Sequence, residues 1–99
     1  MRLLSEKNAQ LLAETFQALS DPTRVQLVHL LSKRECFVSD LAKQLSMSQP
    51  AVSHHLRTLR NLHLVRVRRE GKLSFYSLDD DHIDRLMNEG ILHVEDLLA

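Results

Sequence analysis

Residues 39–62 read SDLAKQLSMSQPAVSHHLRTLRNL, and this stretch sets the fold class. Ser39 starts a short helix whose apolar side is Leu41, Ala42 and Leu45. Ser46 and Met47 leave no room for a loop. Ser48 then offers its hydroxyl as the N-cap of a second helix. Pro50 is tolerated in that helix's first turn, where the N–H it lacks would be unpaired anyway. Val52, Leu56, Leu59 and Leu62 recur along one inward face. Two short helices meeting at a tight turn form a helix-turn-helix.

The flanks complete the frame. Downstream the period changes to two: Val65-Arg66-Val67-Arg68 and Leu73-Ser74-Phe75-Tyr76-Ser77 alternate across Arg69-Glu70-Gly71-Lys72. Gly71 can supply a positive φ, so these residues predict a β-hairpin with a basic outer side. Upstream, residues 5–19 predict a helix with Leu11, Leu12, Ala13, Phe16 and Leu19 on its apolar side. Asp21 and Pro22 read as the cap and first turn of the next helix. Val25, Leu27, Val28, Leu30 and Leu31 make that helix apolar nearly all round, which predicts a buried central element. Asp79, Asp80 and Asp81 are favourable anions at the start of a last helix over residues 80–97. The expected fold is mainly α with a β-hairpin wing: a winged helix-turn-helix. It forms one domain over residues 1–99, with the first and last helices available to join two copies.

Composition narrows the function. The chain has 99 residues, 43% apolar and 26% charged, too apolar for disorder and without a run that could span a bilayer. The opening residues are interrupted by Ser5, Glu6, Lys7 and Asn8, unlike a secretory signal. A single cysteine, Cys36, excludes an internal disulfide framework and fits a reducing, cytoplasmic setting without membrane partners. No nucleophile–base pair or phosphate loop is present, so an enzyme is not expected.

The formal net charge of zero hides a strong polarity. Residues 41–78 carry seven basic side chains and one acidic, whereas residues 79–99 carry one basic and seven acidic. Screening acts over roughly 8 Å at physiological salt, so segments farther apart keep their own potentials. The middle third therefore suits phosphates. In a helix-turn-helix the second helix enters the major groove with its N-terminal residues at base edges. Here those residues are Ser48, Gln49, Ser53 and His54, with Arg57 one turn on. Gln pairs with adenine in bidentate fashion, and Ser, His and Arg reach bases or phosphates. Arg66, Arg68, Arg69 and Lys72 on the hairpin suit backbone phosphates beside the groove. His55 reads as a side chain filling helix surface.

The last helix carries a second pattern: Asp80-x-His82, ten residues, then His93-x-x-Asp96. His82 and His93 are eleven positions apart, within about 20° of one face but about 16.5 Å apart along the axis. Ligand atoms lie about 2 Å from an ion, so one straight helix cannot close such a site. Two antiparallel copies can. His82 then meets His93 of the second copy and Asp80 meets Asp96, and both pairings put the two-fold axis near residue 88. Each site offers two nitrogens and two oxygens, a tetrahedral set suited to zinc or cobalt. Gly90 lies near the axis, where a missing Cβ permits close approach. The competing reading is an acidic amphipathic helix with stray histidines and Asp80 as a simple N-cap. Glu95, Asp79, Asp81 and Glu89 are alternative carboxylates.

Together these features resemble the ArsR/SmtB family of bacterial metal-responsive repressors over essentially the whole chain. The segments that carry the resemblance are Ala18-Leu19-Ser20-Asp21-Pro22-Thr23-Arg24, Leu45 to Leu56, Phe75-Tyr76-Ser77-Leu78 and the closing D-x-H-x10-H-x-x-D. The last is similar to the zinc/cobalt site of one branch, where the final ligand is usually His or Glu; here it is Asp96. The resemblance implies an apo homodimer on an inverted-repeat operator, released when metal binds. It also implies a link from His93 toward His63, near the end of the recognition helix. Another branch uses a thiolate pair for soft ions, but Phe37 and Ser39 stand where its cysteines would be, and Cys36 reads as a structural thiol. The alternative is a repressor of the same fold that answers a non-metal or redox signal.

Overall fold

The computed structural model describes all 99 residues. Helix α1 spans Glu6–Ala18 and α2 spans Pro22–Lys33. A two-residue strand β1, Cys36–Phe37, leads directly into α3, Val38–Leu45, and then α4, Gln49–Asn61. Strands β2 (Val65–Glu70) and β3 (Leu73–Leu78) form the hairpin, and α5 covers Asp81–Leu98. This is the expected mainly helical chain with a β-hairpin wing.

Local chemistry explains the helix ends. The Asp21 carboxylate accepts the Arg24 N–H at 3.1 Å, and the Ser48 hydroxyl accepts the Ala51 N–H at 3.2 Å. Each satisfies a donor that the first turn leaves orphaned. Helix α3 departs from expectation. It starts at Val38, after Phe37 at the cap position, and has no side-chain cap, so Ser39 lies inside it. The reason is β1: Phe37 is still paired with Phe75 of β3, and the chain turns from strand to helix without a spacer.

Helices α3 and α4 end in the same way. Ser46 takes φ +53°, with the Met47 N–H bonded to the Ala42 carbonyl at 3.0 Å. His63 takes φ +58°, with the Leu64 N–H bonded to the Leu59 carbonyl at 3.0 Å. Both are Schellman closures, in which one left-handed residue satisfies the last carbonyls and turns the chain sharply. The first sets the angle between the two helices of the helix-turn-helix. The second feeds α4 into the wing.

Strand order is β1-β3-β2, all antiparallel, so the hairpin is extended by a third strand that the alternation pattern did not reveal. The core lies between α2, α3, α4 and the inner face of the sheet: Leu27, Val28, Leu41, Val52, Leu56, Leu59, Leu64 and Val65 are buried almost completely. Within α2 only Leu27, Val28 and Leu31 are buried, and Val25 is exposed. The central helix therefore keeps one apolar flank open, beside the exposed Phe16 of α1. Helix α5 buries no residue fully; it rests on the core through Ile83 and Met87. No helix is long and apolar enough to cross a membrane.

Candidate nucleic-acid interface and terminal-helix ligands

Helix α4 is held by Val52, Leu56 and Leu59, which turns Gln49, His54 and Arg57 outward as exposed side chains. Ser53 is half-buried on the flank. Ser48 is exposed, but its hydroxyl oxygen is engaged as the N-cap, so it shapes the helix start as well as lining it. The expected group at the helix start thus comes together on one exposed surface.

His55 has more to do than fill surface. Arg24 of α2 donates from Nε to the Ala18 carbonyl at 2.5 Å, and its Nη1 lies 3.4 Å from His55 Nδ1. The guanidinium thus ties the end of α1 to the middle of α4. The Arg24 N–H holds the Asp21 carboxyl below its ordinary range against some desolvation, and the Arg24 and His55 side chains add to the effect. Separations of six and 31 residues put both contacts beyond any local pattern.

On the wing the four cations are not equivalent. Arg66 and Arg68 share the outer face of the sheet with their partners Ser77 and Phe75, whereas Arg69 faces the other way opposite Ser74. Arg66 Nε reaches the Ser77 hydroxyl at 3.4 Å. Arg68 is heavily engaged. It donates to both Glu35 oxygens, at 2.8 and 3.3 Å, pairs with Glu70 at 3.0 Å, and lies 4.4 Å above the Phe75 ring. Lys72 and Gly71 form the exposed tip, Gly71 at φ +58°.

On α5, Asp80 is the N-cap: its Oδ1 accepts the N–H groups of His82 at 2.9 Å and Ile83 at 3.3 Å, and lies 3.3 Å from His82 Nδ1. Desolvation opposes ionisation of this carboxyl, but the hydrogen bonds from Ile83 and His82 outweigh it and hold it below the ordinary range. Asp80 and His82 therefore converge as a nitrogen–oxygen donor pair at one end of α5. His93 and Asp96 are exposed near the other end. No three metal-binding side chains come together within one chain. No hydrogen bond joins His63, which is exposed, to His93. Beside His93 an open apolar groove of about 640 Å³ runs between α1, α2 and α5, lined by Phe16, Leu19, Val25, Leu86, Ile91 and Val94 among others.

Cys36 is buried, and desolvation pushes its thiol upward from the ordinary range. Its Sγ donates to the Arg34 carbonyl at 3.4 Å. Thiol chemistry needs an exposed, electropositive site that favours thiolate, and this one is neither.

Comparison with known proteins fits this geometry. A family model described as bacterial regulatory protein, arsR family, matches residues 21–67, from the cap of α2 into β2. A cadmium resistance transcriptional regulatory protein CadC homolog from Staphylococcus aureus is 42% identical over 97 residues, covering 97% of this chain and 80% of that one. A transcriptional repressor SmtB homolog from Synechocystis is 43% identical over 94 residues, covering 95% and 71%. Among solved structures, the homodimeric winged helix-turn-helix DNA-binding domain of a possible ArsR-family regulator from Mycobacterium bovis superposes with a TM-score of 0.87. It is 26% identical and covers 100% of this chain and 94% of that one.

Proposed function

The chain belongs to the arsR family of bacterial regulatory proteins, and we propose that it is a zinc- or cobalt-responsive repressor that leaves its operator when metal binds. The observation that carries this reading is the layout of α5. Asp80 and His82 converge at one end, His93 and Asp96 are exposed near the other, and the groove beside them is open and apolar. A second antiparallel copy covers that groove and brings each donor pair to the other's complement. In this reading α1 and α5 are the dimer helices of one domain over residues 1–99. Such self-complementary pairing is what a two-fold interface requires.

The donor set fits the ion class. Two imidazoles and two carboxylates suit zinc or cobalt, and a bound ion would cross-link the two α5 helices. One relative is named for cadmium resistance, but the only thiol here is buried and single. The chain's own residues do the rest. Gln49, Ser53, His54 and Arg57 present α4 to the major groove of duplex operator DNA, and cations of the wing meet the flanking phosphates. Two such helices about one DNA turn apart match an inverted repeat. His63 closes α4 with a left-handed backbone, and in this reading it is the position through which a change at His93 would reach the DNA helix. Release requires the free dimer to bind metal more tightly than the DNA-bound dimer, and operator DNA must weaken metal binding by the same factor.

The test is a zinc titration of the apo protein followed by duplex DNA binding with and without the ion. Two ions per dimer and a roughly tenfold or greater loss of DNA affinity, a coupling of about 1.4 kcal/mol, are expected. Two ions without loss of affinity would make the site structural. No stoichiometric zinc would refute the metal reading and leave the family's DNA binding intact.

A further inference from the structure

Arg68 has the sequence signature of a phosphate contact: a cation on the outer face of a basic hairpin. Its surroundings assign it another task. The guanidinium forks onto both oxygens of Glu35, at 2.8 and 3.3 Å, and meets Glu70 at 3.0 Å. Its Cζ lies over the Phe75 ring, 4.4 Å from the centroid. Phe75 in turn stacks on Phe37 of β1, with centroids 4.4 Å apart. Register explains the alignment: Arg68, Phe75 and Phe37 are directly opposite one another across the three strands. Glu35 immediately precedes β1 and closes the row from its far side.

An isolated exposed ion pair does little, but a forked arginine–carboxylate pair backed by an aromatic face is the geometry that holds its place. One cation shared between two carboxylates also leaves a local charge of −1, which repels phosphate. We propose that Arg68 is a positioning residue that latches the wing to β1 through Glu35 and Phe75, and that it makes no DNA contact. Arg66, Arg69 and Lys72 are then the wing cations left for phosphate. Glu35 and Glu70 set that number together, because Arg68 is free for phosphate only when both charges are removed.

The inference rests on the DNA-binding reading, and salt dependence tests it. Each phosphate contact contributes about 0.9 to the slope of log affinity against log salt. With a mixed-sequence duplex, Arg68→Gln is expected to leave the slope unchanged while weakening binding severalfold at every salt concentration, because the wing loosens. The double surface change Glu35→Ala/Glu70→Ala is expected to steepen the slope by up to about 0.9 per subunit, and Lys72→Gln to flatten it by a similar amount. A slope about 0.9 per subunit shallower in Arg68→Gln overturns the assignment, as does an unchanged slope in Glu35→Ala/Glu70→Ala. The Arg68 Nε–H resonance in the free protein gives an independent reading. It is expected to be resolved and slow to exchange in the parent and to be lost in Glu35→Ala, which removes the acceptor; a resonance that survives in Glu35→Ala overturns the latch. A wild-type protein with no salt-dependent DNA binding would instead refute the DNA-binding reading, and the Nε–H signal would still judge the latch.

Discussion

Arg24 Nη1 lies 3.4 Å from His55 Nδ1, joining the helix before the helix-turn-helix to the recognition helix itself. The same guanidinium satisfies the Ala18 carbonyl at the end of α1. One side chain of α2 thus bonds the end of α1 and touches α4, the second helix of the helix-turn-helix. For Nδ1 to accept, the ring must carry its proton on Nε2.

Arg24→Ala is therefore expected to cost about 1–2 kcal/mol of stability, by loss of the charged hydrogen bond to a partly buried carbonyl. Arg24→Lys recovers only part, since an ammonium cannot serve Ala18 and His55 as a fork. Urea unfolding at fixed protein concentration measures both, and wild-type stability in Arg24→Ala would contradict the tie.

Two of the three left-handed positions, Gly71 and Ser46, predict substitutions of opposite sign. Gly71 has φ +58° and open space where a Cβ would stand, so Gly71→Ala is expected to cost about 1–2 kcal/mol from backbone conformation alone. Ser46 adopts φ +53° and is exposed, so Ser46→Gly is expected to gain a few tenths to about 1 kcal/mol. Thermal unfolding of the two variants side by side checks the contrast.

Acid should weaken the fold through the cap of α2. The folded Asp21 carboxyl lies below its unfolded value, chiefly because it accepts the Arg24 N–H. Its contribution is fully present above the unfolded aspartate pKa of about 3.9, and is lost as pH falls through the lower folded value. Asn caps about as well as Asp but does not titrate in this window. Asp21→Asn is expected to show a shallower loss of stability below about pH 4, and an identical pH profile would deny the cap its role.

For the proposed metal site, His82→Ala and His93→Ala are each expected to abolish tight zinc binding while the dimer persists in sedimentation. Zinc affinity should also fall in acid, because a protonated imidazole cannot ligate. Affinity that does not fall in acid would remove both histidines from the site.

The local chemistry of the fold was legible in the sequence. Asp21 and Ser48 announce their helices because a cap bonds only three residues ahead. The alternation from Val65 to Ser77, with Gly71 between, is itself the hairpin. The outward set on α4 follows from helical periodicity once Val52, Leu56 and Leu59 are assigned to the core. The start of α3 lies one residue earlier than Ser39 predicts, because Phe37 is held by a strand partner, Phe75, 38 positions away.

By itself, then, the sequence determined the five helices and the hairpin, their order, the family and the faces on which cationic, imidazole and carboxylate side chains stand. Those properties depend on neighbours a few positions apart along the chain. The tertiary structure alone decided which cations are free. Arg68 meets Glu35 and Arg24 meets His55 across more than 30 residues, and no spacing rule links such partners. A formal charge count treats every arginine alike. Packing brings a carboxylate and an aromatic ring to one of them and leaves Lys72 exposed at the wing's tip.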